Sequence, residues 1–192
     1  MSTRIRIQAD EFFNAYRVLG ESNAAFLDQV EKSDGKPQIS AKAFGSLPAM
    51  SPSIVCLAFS VELYIKDLHF ALEGKAPRGH NILKLYQGLP KKVRQEIFAH
   101  NSISGNPFVG RGSVFSIKNF TGSHTAYDGF IERIEEISNG FEKWRYSYES
   151  VALKYEEWFA LAFIEAIKSA AATIRTQSTA QVKMSSTLTT PK

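Results

Sequence analysis

Two segments of this chain carry the residue types of phosphate chemistry. Between Gly74 and Gln95 stand Lys75, Arg78, Lys84, Lys91, Lys92 and Arg94, with no acidic residue among them. Such a run can contact the phosphates of a nucleic acid, and it can equally be the solvated surface of turns and helix faces. The second segment, FEKWRYSYE from Phe141 to Glu149, packs Trp144, Tyr146 and Tyr148 around Arg145, with Glu142 and Glu149 at its ends. A guanidinium held out by aromatic rings presents a planar fork to a phosphate. The same residues would also make an aromatic corner that seats one helix on another, with Arg145 stacked on a ring and paired to a carboxylate.

A third candidate is a polar row in the stretch AFSVELYIKDLHFALE. On a helix, Glu62, Lys66, His69 and Glu73 fall within about 60 degrees of one another. The rest of the stretch is so apolar that the row is either the single wet face of a buried helix or part of a site. The i,i+4 spacing of Glu62 and Lys66 suits an ion pair, and the simplest assignment is the solvent or groove face of a core helix. His80, at the start of the next helix, reads as a structural cap or packing residue. Arg94 and His100 have a spacing used by one class of metal-independent ribonucleases, but six residues of one continuous helix turn about 240 degrees and send the two side chains apart.

Other chemistries find no support. GNPFVGRG, from Gly105 to Gly112, mimics the glycine spacing of a phosphate-cradling loop, yet Arg111 and Gly112 stand where Lys and Ser or Thr belong, and no buried strand precedes it. The four histidines, His69, His80, His100 and His124, share no metal-ligand spacing, so no metal site is predicted. The GxSxG elbow of a serine hydrolase does not occur.

A length of 192 residues suits one domain with a real hydrophobic core. The single cysteine, Cys56, lies in the apolar run IVCLAF and reads as a small core residue in a reducing compartment. The opening MSTRIRIQADEFF lacks the apolar core of a signal peptide, and no run approaches the roughly 20 apolar residues of a membrane span. The expectation is a cytoplasmic protein with no membrane association. Its net charge of +4 is mild, and the unevenness described above matters more.

The elements that must position these residues are helical. Ala9 to Lys32 has aromatic and aliphatic residues at helical spacing, with Gly20 as a kink or break. Ser33 to Met50 reads as a linker. Ser51 and Pro52 supply an N-cap and a first-turn proline for a long helix that Gly74 closes after Glu73. Short helices are predicted over His80 to Gln87 and Lys91 to His100. An irregular insertion follows from Asn101 to Ser123, in which only VFSIKNF could pair as a strand. Thr125 and Asp128 form a capping box for a helix to about Ser138. The last helix covers about Leu153 to Arg175, and the Ser/Thr-rich remainder is predicted to be disordered. Strand signals are nearly absent. The fold class is all-α: an up-and-down bundle of about five to six helices with one long irregular insertion. Residues 1–50 form an N-terminal helical extension and linker, 51–176 the bundle, and 177–192 the tail.

In order along the chain, AFSVELYIKDLHFAL, then Gly79, His80, Asn81, Ile82 and Leu83 at a helix start, then Arg145 and Tyr146 before the last helix resemble the HEPN superfamily. These are the higher eukaryote and prokaryote nucleotide-binding helical bundles, and the resemblance spans about Ser53 to Ile174. It implies a four-to-five-helix bundle, frequently a homodimer with a groove between protomers. Active members resemble metal-independent endoribonucleases in which an Arg is followed, four to six residues on, by a His that acts as general base. Here Arg145 is followed by Tyr-Ser-Tyr-Glu-Ser-Val-Ala, with no histidine. Under the resemblance, Tyr148 or Glu149 stands in for it, His80 or His100 folds back into the groove, or the domain binds without catalysing. The implied function is an RNA- or nucleotide-binding or interaction module in a prokaryotic defence, toxin-antitoxin or stress setting. Arg145, Tyr146 and the Lys75 to Arg94 run would face the ligand, with a cognate partner protein possible and no cofactor. The alternatives are a ribonuclease that uses Arg145 with a histidine from elsewhere in the chain or the dimer, and a purely structural helical protein.

Overall fold

The structure, a computed structural model, describes residues 2–34, 50–105, 125–138 and 157–187. Every regular element among them is an α-helix: α1 (Ser2–Asp34), α2 (Met50–Glu73), α3 (Ile82–Gln87), α4 (Lys91–Ala99), α5 (Asn101–Ser104), α6 (Ala126–Ser138) and α7 (Glu157–Thr187). The chain forms the all-α bundle that its periodicity predicts.

Helix α2 is apolar on nearly every side because it is covered on nearly every side. Leu57, Val61, Ile65 and Leu68 are fully buried, with α1 along one flank and α7 along another. The Phe12 ring meets Phe59 edge-on at 4.5 Å, and the Tyr64 hydroxyl donates to Asp10 at 2.6 Å. On the other flank the Lys168 ammonium lies 5.1 Å from the Tyr64 ring, and Arg175 binds Asp67. Along the first contact the residue numbers run in opposite senses, so α1 and α2 are antiparallel. Along the second they rise together, so α2 and α7 run parallel.

The far end of the core is aromatic. Tyr86 of α3, Phe130 of α6 and Phe159 and Phe163 of α7 pack with ring centroids 5.6–5.9 Å apart. Edge-to-face pairs of this kind add about 0.5–1.5 kcal/mol each beyond the area they bury. The Thr125 and Asp128 box forms as expected, with the Asp128 carboxylate accepting from Thr125 N–H at 2.9 Å and Thr125 Oγ1 accepting from Asp128 N–H at 3.2 Å.

Four expectations change. The N-terminal segment is part of the bundle instead of an extension, since Ala9 is fully buried and Phe12, Phe13 and Tyr16 pack against the core. Gly20 does not break α1, which stays continuous because packing on α2 outweighs the roughly 1 kcal/mol that glycine costs a helix. The segment after His100 begins with a short helix, Asn101–Ser104. The last helix continues to Thr187, with the Thr176 and Ser178 hydroxyls donating to carbonyls four residues back at 3.0 Å. The VFSIKNF segment and residues 188–192 lie outside the described residues.

Candidate anion-binding cleft

Two glycines shape the cleft. Gly74 (φ 71°) and Gly79 (φ 99°) both adopt left-handed backbone, which side chains with a Cβ avoid, and they bracket the turn Lys75–Arg78. The Gly74 N–H donates to the Phe70 carbonyl at 2.9 Å and ends α2. After the turn, Asn81 caps α3 by accepting from Lys84 N–H at 2.8 Å. The Leu83 N–H donates to Ser138 Oγ at 2.8 Å, which docks α3 on the end of α6.

This path brings the turn back across the polar row of α2. Glu62 is 1% exposed, and its carboxylate receives the Lys66 ammonium at 2.7 Å. His80 Nδ1 lies 3.1 Å and 3.2 Å from the two oxygens of the same carboxylate. A neutral His80 ring that donates to this carboxylate carries its proton on Nδ1 and keeps its lone pair on Nε2. His69, also buried, donates from Nε2 to the Leu85 carbonyl at 2.9 Å and ties α2 to α3. Of the two faces that the spacing allows, solvent or groove, the row is not the solvent one, and His69 lines the cleft between the turn and α3. Glu62 and His69 are buried under the turn and α3, Lys66 is partly covered, and Glu73 alone of the four is exposed. His80 does not cap α3, because Asn81 does.

Between the turn and α3 lies a cleft of about 430 Å³, walled by Pro77 to Asn81, Lys84 and Gly88, with His69, Leu85 and Ser138 completing it. No acidic side chain lines it among the described residues, and Arg78, His80 and Lys84 are exposed at its surface.

The predicted basic run is divided by the fold. Arg78 and Lys84 line this cleft, and Lys75 is exposed in the turn beside it. Lys91 and Arg94 line a second cavity of about 420 Å³ on α4, with Gln95, Phe98 and Tyr127, while Lys92 is exposed nearby in the chain. Arg94 is half-buried, and its Nε has no hydrogen-bond partner among the described residues. Its carbonyl accepts from the Tyr86 hydroxyl at 3.0 Å. Burial, reinforced by a hydrogen bond with Tyr127, pushes that hydroxyl well above the ordinary tyrosine range. His100 is engaged elsewhere: its Nδ1 accepts from Ser102 N–H at 3.3 Å as the cap of α5, and the Ser102 hydroxyl donates to the Ala162 carbonyl. Arg94 and His100 thus form no pair.

Arg145, Tyr146, Tyr148 and Glu149 lie outside the described residues, as does His124. The arginine seen on an aromatic ring is another one. Buried Arg133 stacks over Trp158 at 4.8 Å, joining α6 to α7. Sequence reasoning missed this contact, which joins two residues far apart in the chain. It also missed the Glu62–His80 contact, for which Gly79 next to His80 was the available signal.

Among the described residues no group of three or more His, Cys, Asp or Glu side chains converges to hold a metal ion, and no helix is long and apolar enough to cross a membrane. Comparison with protein-family models, with curated proteins and with solved structures returned no match.

Proposed function

We propose that this chain is an RNA-binding module of HEPN type that seats RNA phosphates in the cleft between the Lys75–Arg78 turn and α3. One observation carries the reading: Arg78 and Lys84 flank a cleft that no acidic side chain lines among the described residues. Lys75 is exposed in the turn beside that cleft, and Lys91 and Lys92 are exposed on α4. Such a surface matches a chain of phosphates better than a single nucleotide, because counterion release grows with each phosphate neutralised. The resemblance noted in the sequence adds the setting, prokaryotic defence, toxin-antitoxin action or stress response.

The test is fluorescence anisotropy with a labelled 20-nucleotide single-stranded RNA at 50 and 200 mM salt. Binding should weaken with salt by about 0.7 decades per decade for each phosphate engaged. The double reversal Arg78→Glu with Lys84→Glu should weaken it at least tenfold at 50 mM. No binding at low salt, or a reversal without effect, removes the reading.

A further inference from the structure

The cavity on α4 holds an arginine whose donors are not all used. Lys91 and Arg94, three residues apart on one helix face, line it with Gln95, Phe98 and Tyr127. No acidic side chain lines it among the described residues. Asp128, next to Tyr127, is taken by the cap of its own helix, where it accepts from the N–H and the hydroxyl of Thr125. Arg94 Nε is closed to water and has no hydrogen-bond partner among the described residues. A buried donor left in that state is costly, and an acceptor brought to the guanidinium relieves it. The side chain is flexible enough to turn that N–H toward an acceptor entering the cavity.

The other walls are aromatic and held in place. Phe98 meets Tyr127 edge-on at 5.2 Å and lies 5.3 Å from Phe130, which is 6.1 Å from Tyr127. The Tyr86 hydroxyl, itself hydrogen-bonded with Tyr127, donates to the Arg94 carbonyl at 3.0 Å. Residues of α3, α4 and α6 thus fix the cavity before any ligand arrives. Its volume of about 420 Å³, with ring walls and a few convergent polar groups, is that of a small-molecule site.

We propose that this cavity binds a small aromatic carboxylate, with its ring against Phe98 and Tyr127 and its carboxylate on Arg94 and Lys91. A carboxylate is planar and accepts two parallel N–H bonds from a guanidinium, and Nε can be one of the two donors. A phosphate also suits the fork, but it carries more charge and holds its water more strongly. A cavity walled by rings replaces less of that hydration. A neutral aromatic would leave both cations without a counter-ion. The site shares no lining residue with the cleft beside the Lys75–Arg78 turn, and the proposal does not depend on RNA binding.

The experiment titrates the full chain with phenylacetate, phenylacetamide, acetate and phenyl phosphate, by calorimetry and by NMR of the tyrosine rings. Phenylacetate should bind with a dissociation constant below about 1 mM, which suits a ligand of its size. Phenylacetamide keeps the ring without the charge, and acetate keeps the charge without the ring. Each should bind at least about tenfold more weakly. Arg94→Gln should weaken phenylacetate about tenfold. Lys91→Gln should weaken it about threefold, and this replacement sits on an exposed side chain, so the test survives if Arg94→Gln fails to fold. The ring signals of Tyr127, assigned through Tyr127→Phe, should move on addition of phenylacetate, while those of Tyr64 on α2 stay in place. Absence of binding at about 10 mM phenylacetate overturns the proposal. So does equal affinity for phenylacetamide, tighter binding of phenyl phosphate, or a titration that leaves Tyr127 unmoved. Each of these results leaves the RNA-binding reading untouched, since that reading rests on the other cleft.

Discussion

Asp67 and Arg175, 108 residues apart, form an ion pair that joins the central helix to the last one. The Asp67 side chain is 3% exposed and that of Arg175 is 32% exposed, so one charge is buried and the other reaches it from the surface. This placement fixes how α7 lies along α2, and with it the aromatic packing that supports α3 and the cleft.

Arg175→Ala removes the guanidinium but keeps the buried carboxylate. Taking away the charged partner of a buried group should lower stability by about 2 kcal/mol, measured as the shift in urea unfolding free energy. A change below about 0.5 kcal/mol would mean that α7 is held by its apolar face alone.

Glu62→Ala leaves Lys66, whose side chain is 14% exposed, without its counter-ion. The expected loss is about 3 kcal/mol. His80→Ala, by contrast, should stay within about 0.5 kcal/mol of the native protein, as surface replacements do. Equal losses for the two variants would contradict the view that Glu62 serves the fold and His80 serves the cleft.

Gly79 has φ 99° and open space around the position a Cβ would take, so the obstacle to a side chain there is the backbone and not a clash. Gly79→Ala should cost about 1–2 kcal/mol and displace the turn that carries His80. Thermal unfolding measures the first effect, and the NMR signals of His80 report the second.

Tyr64 is raised above the ordinary tyrosine range, first by burial, then by its hydrogen bond to Asp10 and by the Asp10 and Asp67 charges. The folded state therefore favours the neutral phenol. That contribution is complete below the unfolded tyrosine pKa near 10 and is lost as pH rises above it. Unfolding free energy should hold level to about pH 9.5 and then fall. Tyr64→Phe should begin about 1 kcal/mol lower and fall less steeply. Parallel curves for the two proteins would locate the alkaline transition elsewhere.

Sequence reasoning succeeded where the cause is local. The long buried helix is legible in its apolar run and ends at Gly74 because a left-handed residue is needed there. The Thr125 and Asp128 box declares itself through two hydrogen bonds made within three residues. Gly20 misled because its cost is small beside the burial of Ala9, Phe12 and Phe13 on the same helix. The last helix outran its prediction: the Ser and Thr residues that mark a polar tail are compatible with helix, and the hydroxyls of Thr176 and Ser178 bond to carbonyls of their own helix.

The sequence by itself determined that this chain is an all-helical bundle around one apolar helix, with basic residues gathered after that helix, since periodicity, caps and charge are properties of neighbouring residues. Only the tertiary structure decided what the polar row does. Whether Glu62 faces water or a histidine depends on where the turn after Gly74 crosses α2, and that path is set by how α3 docks on α6. Docking buried Glu62, left Lys66 beside it, and set His80, in contact with the same carboxylate, among the residues that line the cleft with Arg78 and Lys84.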